Sequence, residues 1–242
     1  GSGDETGFDP GMTAAPVEIA PLYNNLARGP ADGAAHWLTT VDGRRIRVGL
    51  GGADAAKGTV FLLPGRTEYV EKYGLAAVDL LQRGYATLSI DWRGQGLASR
   101  ALPDPLPGHV VDFAEYQRDL QAMIQFAERQ ELPEPWFMLA HSMGGCIGLR
   151  GLMGAHPFNA AAFSSPMWGI QMSIWMRPGA RTVASLANLF GRGLTYAPGT
   201  GPQTYVTAAP FADNTLTTDP HMWNYMRDHL LAYKEVDLVL DP

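Results

Sequence analysis

Apolar residues in this chain fall into short blocks, and the blocks alternate between two periodicities. Ala35 to Val41 and Arg44 to Leu50 flank Asp42-Gly43, a strong turn signal, and predict a hairpin. Thr59-Val60-Phe61-Leu62-Leu63 is apolar at four of five positions, the pattern of a strand buried on both faces of a parallel sheet, and Pro64-Gly65 ends it. A helix is expected from about Val70 to Arg83, closed by Gly84, then a strand from Tyr85 to Ile90 that stops at Asp91. The clearest helical pattern runs from Phe113 to Glu131. There Phe113, Tyr116, Leu120, Met123, Ile124 and Ala127 share one face, and Asp112 with Glu115 reads as a capping box. Trp136 to Leu139 predicts the next strand, with a helix to about Ala155 behind it. Ala160 to Phe163 reads as one more buried strand. Strand, helix, strand, helix, strand in this order implies parallel strands with right-handed crossovers, hence a doubly wound α/β sheet.

The rhythm changes after Pro166. Met167 to Thr218 lacks buried-strand patterning, is rich in Met, Trp, Pro and Gly, and carries one amphipathic stretch at Arg181 to Phe190. It reads as a cap inserted over a site. A helix then starts with Asp219 as N-cap and Pro220 at its first position, running to about Tyr233. The expected division is a core over 12–166 and a cap region over 167–242. Gly1 to Gly11, Gly- and acid-rich, read as an artificial leader ahead of a natural start at Met12.

Composition narrows the function classes. With 242 residues, 46% hydrophobic and 17% charged, the chain is long and apolar enough for one large core. A net charge of −6 argues against a nucleic-acid partner, because phosphate binding needs a basic face. No apolar run approaches a membrane span, and no basic-then-apolar leader is visible. The single cysteine, Cys146, excludes an internal disulfide framework and fits a reducing, cytoplasmic setting. No Cys/His cluster has zinc spacing, so neither metal nor cofactor is expected. Gly94 and Gly96 lack the lysine of a P-loop and the third glycine of a dinucleotide fingerprint, so they read as turn glycines. Asp91 and Arg93 either pair to fix that loop or face solvent.

Ala140-His141-Ser142-Met143-Gly144-Gly145 stands where a strand stops and a small-residue helix begins. A serine on such a sharp turn exposes its hydroxyl, and small neighbours let the backbone turn tightly. The helix N-terminus, beginning with the Met143 N–H, offers unpaired amides and a positive dipole end to a developing oxyanion. The pattern points to a serine hydrolase with Ser142 as nucleophile. His141 is expected to point away from the pocket by strand alternation, and Cys146 to pack on the sheet.

Three motifs in order, Leu63-Pro64-Gly65-Arg66, Asp91-Trp92-Arg93-Gly94-Gln95-Gly96-Leu97-Ala98-Ser99 and Ala140 to Gly145, carry a resemblance. Together they resemble the monoglyceride lipase and bacterial lysophospholipase branch of the α/β-hydrolases. That branch shows His-Gly, then Asp-x-Arg-Gly-x-Gly-x-Ser, then Gly-His-Ser-Met-Gly-Gly. The resemblance covers roughly Arg44 to Pro166, more faintly the cap and the Asp219 helix. Pro64 stands where the family has histidine, and Ala140 where it has glycine. Neither change removes a reacting group.

The resemblance implies an α/β-hydrolase fold with an inserted cap, an oxyanion N–H from Arg66 next to Gly65, and an acyl-enzyme on Ser142. It implies a lipid-like ester as substrate, a monoacylglycerol or lysophospholipid, and leaves peripheral membrane contact open. Trp168, Met172 and Trp175, in an apolar cap cluster, are candidate substrate contacts beside Gly65; the same cluster can equally be cap-to-core packing. The family's triad runs Ser, Asp, His. Completing the sheet needs about 60 more residues at typical element lengths, so the chain reads as truncated, with the acid and the histidine base absent. Asp213 with His221, and Asp219 with His229, have the right order but no buried strand before the aspartate. Capping for Asp219 and solvated faces for His221 and His229 are the expectation. Two rival readings are a non-catalytic fragment or binding scaffold on a hydrolase fold, and an aminopeptidase-type hydrolase.

Overall fold

The computed structural model describes residues 17–169 and 204–234. A short strand β1 (Glu18–Ala20) and a one-turn helix α1 (Asn24–Ala27) precede the expected hairpin, β2 (Ala34–Thr39) and β3 (Arg45–Gly51). Then come β4 (Thr59–Leu63), a 3₁₀ turn at Val70–Tyr73 leading into α2 (Gly74–Gln82), and β5 (Ala86–Asp91). A second 3₁₀ turn (Phe113–Glu115) opens α3 (Tyr116–Arg129), followed by β6 (Trp136–His141), α4 (Met143–Leu152) and β7 (Phe158–Ser164). Near the end lie α5 (Tyr205–Ala208), a 3₁₀ turn at Phe211–Asp213 and α6 (Pro220–Ala232).

The strands form one seven-stranded sheet in the order β1-β2-β3-β5-β4-β6-β7. β5, β4, β6 and β7 run parallel, and β3 runs antiparallel to its neighbours β2 and β5. This is the open, doubly wound α/β-hydrolase sheet that the block pattern predicts. β1 carries too few residues to leave a periodic signal.

Alternation assigns the sheet faces. Ile46, Val48, Phe61, Leu63, Leu88, Ile90, Met138 and Ala140 join one buried cluster with Tyr116, Leu120, Met123 and Phe126 of α3. Each such large side chain contributes about 1.5–3 kcal/mol by leaving water. The α3 face is the one the spacing predicts. Its cap differs in one detail: the Asp112 carboxylate accepts the Ala114 N–H at 2.8 Å, but Glu115 does not reach back. Glu115 instead accepts from Arg93 at 2.8 Å, a charge-assisted bond that outcompetes the box.

β7 departs from expectation. It is a strand, but Asn159 to Ala162 are exposed. The buried reading presupposes cover on both faces. β7 lies at the sheet's end, paired only with β6 among the described residues, and alanines on an edge look the same in sequence as alanines in a core.

The two ends of the described chain meet. The Tyr225 hydroxyl lies 2.8 Å from the Ala27 carbonyl oxygen and 3.0 Å from that of Glu71. His229 Nε2 lies 2.9 Å from the Leu26 carbonyl oxygen, and Tyr23 stacks on Tyr233 with centroids 3.6 Å apart. Tyr69, Val206, Trp223, Tyr225, Met226 and Leu230 make a second buried cluster there. Asp219 caps α6 through the His221 N–H (2.8 Å), and His221 is exposed, both as expected. His229 is not on a solvated face: it is 2% exposed, and only a protonated Nε2 can donate to the carbonyl it meets. No helix among the described residues is long and apolar enough to cross a membrane.

Candidate active site

Ser142 sits between β6 and α4 with φ 49° and ψ −119°. Side chains rarely occupy this region, and holding one there costs on the order of 1–3 kcal/mol. The surroundings enforce it. The Ser142 N–H donates to the Ser164 carbonyl at 3.1 Å, and its carbonyl accepts the Gly145 and Met167 N–H groups at 2.9 Å each. Gly144 admits no side chain. A Cβ there would lie 2.2 Å from the Leu63 carbonyl oxygen, so α4 starts hard against the end of β4. The N–H groups of the first turn of α4, from Met143, have no acceptor inside their own helix. Met143 itself is buried.

Ser142 opens onto a cleft of about 200 Å³. The segment after β4 gives it a largely polar lining, Arg66, Thr67, Glu68 and Lys72, with His141. The residues near α5 and α6 give it a largely apolar one, Val206, Leu216, Met226 and Leu230. Gly65 is close enough to Ser142 that a Cβ on it would stand 3.0 Å from the serine Cβ. The structure thus brings Ser142, Gly65 and Arg66 to one cleft.

Other expected positions fall elsewhere. Trp168 is not a cleft residue; it is 58% exposed, stacks edge-on against Phe163 and points its indole N–H at the Gly145 carbonyl oxygen (3.4 Å). The turn after Ser165 lays it against the first turn of α4, a direction that an apolar cluster in the sequence does not encode. Met172 and Trp175 lie outside the described residues, as does the stretch from 181 to 190. His141, expected to point away, lines the cleft, with Nδ1 3.0 Å from the Ser164 carbonyl oxygen and Nε2 3.9 Å from Glu68. Alternation holds through β6, with Trp136, Met138 and Ala140 buried and Phe137, Leu139 and His141 half-buried, and at the strand's end the half-buried side is the one that meets the cleft. His229 belongs to a separate small cleft with Tyr23, Leu26 and Tyr69.

Glu68 is a charged cleft residue that sequence patterning does not reveal. Its carboxylate accepts from the Gly65 N–H, Lys72 Nζ and the Tyr73 hydroxyl, each at 2.6 Å. Burial pushes its carboxyl up. The Lys72 ammonium and these hydrogen bonds outweigh that and hold it below its ordinary value. The only local hint was a carboxylate three residues past the strand-ending glycine, with lysine one turn later. A depressed folded value means that Glu68 adds stability above the ordinary glutamate range, about 4.3, and that this is lost as pH falls through the folded value. The melting-temperature gap between wild type and Glu68→Gln should be steady above about pH 5 and narrow on acidification. A gap that widens on acidification would contradict this.

Asp91 and Arg93 neither pair with each other nor face solvent. The Asp91 carboxylate accepts from Arg47 Nε at 2.7 Å and from the Val70 and Leu97 N–H groups at 2.7 and 2.8 Å. Arg47 also grips Glu71 through two nitrogens, at 2.8 and 2.6 Å. Arg47 and Asp91 are fully buried and Glu71 is 3% exposed. Arg93 instead joins Asp42, Glu115 and Asp119. Gly96, with φ 51°, closes the loop over Asp91, where a Cβ would fall 2.2 Å from the carboxylate carbon. Among the described residues no group of three or more His, Cys, Asp or Glu side chains is placed to hold a metal ion.

Comparison with known proteins bears on the family and the fold. Lysophospholipase L2 of Escherichia coli K12 is 42% identical over 166 residues, covering 65% of this chain and 46% of the relative. The chain thus spans about half the length of the curated relatives it matches. Two solved structures share the fold. A soluble variant of monoglyceride lipase from Saccharomyces cerevisiae has a TM-score of 0.54 at 19% identity, over 84% of this chain and 62% of that one. An alpha/beta hydrolase from Penicillium has 0.56 at 18%, over 70% and 59%. The profile described as serine aminopeptidase, S33 (Hydrolase_4) matches residues 54–238. With that match over most of its length, an elbow serine and an α/β-hydrolase sheet, the chain belongs to the serine aminopeptidase S33 family of α/β-hydrolases.

Proposed function

We propose that this chain carries the nucleophile and oxyanion machinery of a serine ester hydrolase acting on lipid-like esters, a monoacylglycerol or a lysophospholipid. One observation carries the reading: Ser142 is held in a strained turn, at a helix N-terminus, facing a cleft beside Gly65 and Arg66. The Ser142 Oγ attacks the acyl carbonyl, and the backbone N–H groups of Met143 and Arg66 receive the developing oxyanion. The alcohol leaves with a proton, and water then releases the acid from the acyl-enzyme. Among the described residues no histidine–carboxylate pair is hydrogen-bonded to Ser142. The general base and its acid therefore come from outside them. Of the expected cap region, the described residues Val206, Leu216, Met226 and Leu230 line the cleft and receive the acyl chain. The polar lining residues Arg66, Thr67, Glu68 and Lys72 suit a head group, so the cleft fits a single-chain amphiphile. The relatives' name, lysophospholipase, supports the same class. A cytoplasmic setting suits the lone, half-buried Cys146.

The family's description favours a second reading, an aminopeptidase. Such an enzyme needs a carboxylate for the substrate's ammonium group. Among the described residues Glu68 is the carboxylate that lines the cleft, and Lys72 already neutralises it. Ester hydrolysis is therefore the better fit. A fluorophosphonate should label the intact protein on Ser142, and p-nitrophenyl esters of lengthening acyl chain should outrun peptide amides. Labelling at an unchanged rate in Ser142→Ala would overturn the assignment, and faster amide cleavage would favour the peptidase.

A further inference from the structure

We propose that Gln95 is a positioning residue that aims the Arg66 N–H into the cleft by holding the other end of the same peptide unit. The inference rests on the hydrolase reading above and adds a residue that reading does not use. Gln95 is fully buried. Its side-chain amide makes three contacts, all with one four-residue segment. Nε2 donates to the Gly65 carbonyl oxygen at 3.1 Å and lies 3.4 Å from that of Glu68, while Oε1 accepts the Thr67 N–H at 3.3 Å. Two carbonyls on one side and an N–H on the other fix which end of the amide is nitrogen.

Peptide planarity gives this arrangement its consequence. In a trans peptide the carbonyl of one residue and the N–H of the next point in opposite directions. The Gly65 carbonyl is drawn inward to Gln95, so the Arg66 N–H is turned the other way, toward the wall that carries Ser142. The preceding peptide is fixed in the same manner: Trp92 Nε1 holds the Pro64 carbonyl oxygen at 2.9 Å, and Glu68 takes the Gly65 N–H at 2.6 Å. Gln95 is itself steadied by its loop, which Asp91 pins through Leu97. A buried amide whose contacts all fall on one loop is costly unless each is met. An apolar side chain would fill the same space without setting the direction of the peptide.

The test compares intact wild type with Q95M, of similar shape without the amide, and Q95E, which places an oxygen against the Gly65 carbonyl. Both variants should lose about 100-fold in kcat with little change in KM. A long-chain alkyl boronic acid, which forms a tetrahedral adduct on the serine, should bind more weakly by a similar factor, whereas a non-reactive alkyl ether should bind as before. The ratio of Q95E to wild-type kcat should rise from about pH 8 to about pH 6, because a protonated carboxyl can donate to the Gly65 oxygen. Wild-type kcat and boronate affinity in either folded variant would overturn the assignment, as would a loss confined to KM. Should Q95M fail to fold, the pH response of Q95E decides alone, and a flat ratio overturns the proposal. A wild type that no fluorophosphonate labels on Ser142 fails earlier, and takes the hydrolase reading with it.

Discussion

Ser142→Ala is expected to lower ester turnover about a millionfold, and Ser142→Gly to do the same while melting at a higher temperature than either. Loss of the nucleophile in a serine hydrolase costs on this order, because what remains is oxyanion stabilisation and binding alone. The stability half of the prediction comes from the backbone. At φ 49° and ψ −119° a Cβ is strained whether it bears a hydroxyl or not, so alanine brings no relief. Glycine does, and after the entropy it adds to the unfolded chain the net gain is about 1 kcal/mol. For a protein of this size that is roughly 2–4 °C. Thermal melts of the three proteins beside a p-nitrophenyl ester assay check both halves. Turnover within tenfold of wild type in the alanine variant would remove Ser142 from the chemistry. A glycine variant melting no higher than alanine would mean the turn is not strained.

Arg47→Met should destabilise the fold by about 3–5 kcal/mol, the usual cost of stripping one partner from a buried ion pair. Methionine matches the arginine stem but leaves Asp91 and Glu71 without their shared cation, with no water to replace it. Arg47 also donates to the Pro21 carbonyl at 2.8 Å, so the segment before α1 loosens with it. The melting temperature should fall by about ten degrees or more. Adding Asp91→Asn and Glu71→Gln to the methionine variant should recover a good part of the loss, since the charges rather than the packing carry the penalty. A single variant within about 1 kcal/mol of wild type would show that the pair is solvated or dispensable.

Much of this was legible from residue order because the signals were local. The hairpin, β4, β5, α3 and the elbow each announce themselves within a dozen residues, through a turn, an apolar run or a helical stripe. What stayed hidden depends on which element covers which. Arg47 alternates with Ile46 and Val48 and so looks like the wet face of a hairpin strand; the 3₁₀ turn at Val70–Tyr73 closes over that face and buries it. His229 looked solvated because no sequence rule places Leu26 against α6. The roles of Glu68 and Gln95 are hidden for a related reason. Each acts on backbone groups of the Gly65–Glu68 segment, and backbone partners leave no trace in side-chain patterns.

The meeting of Leu26 and His229, 203 positions apart, has a bearing on how the molecule is made. Met226 and Leu230, which line the cleft, share a helix with Tyr225 and His229, which grip the residues around α1. On the ribosome the early half of that clasp waits for 203 further positions to be made before its counterpart emerges. Closing so long a loop is entropically slow. Until then the groove beneath α6 stands open and greasy, and the nascent protein is most vulnerable there to sticking to its neighbours.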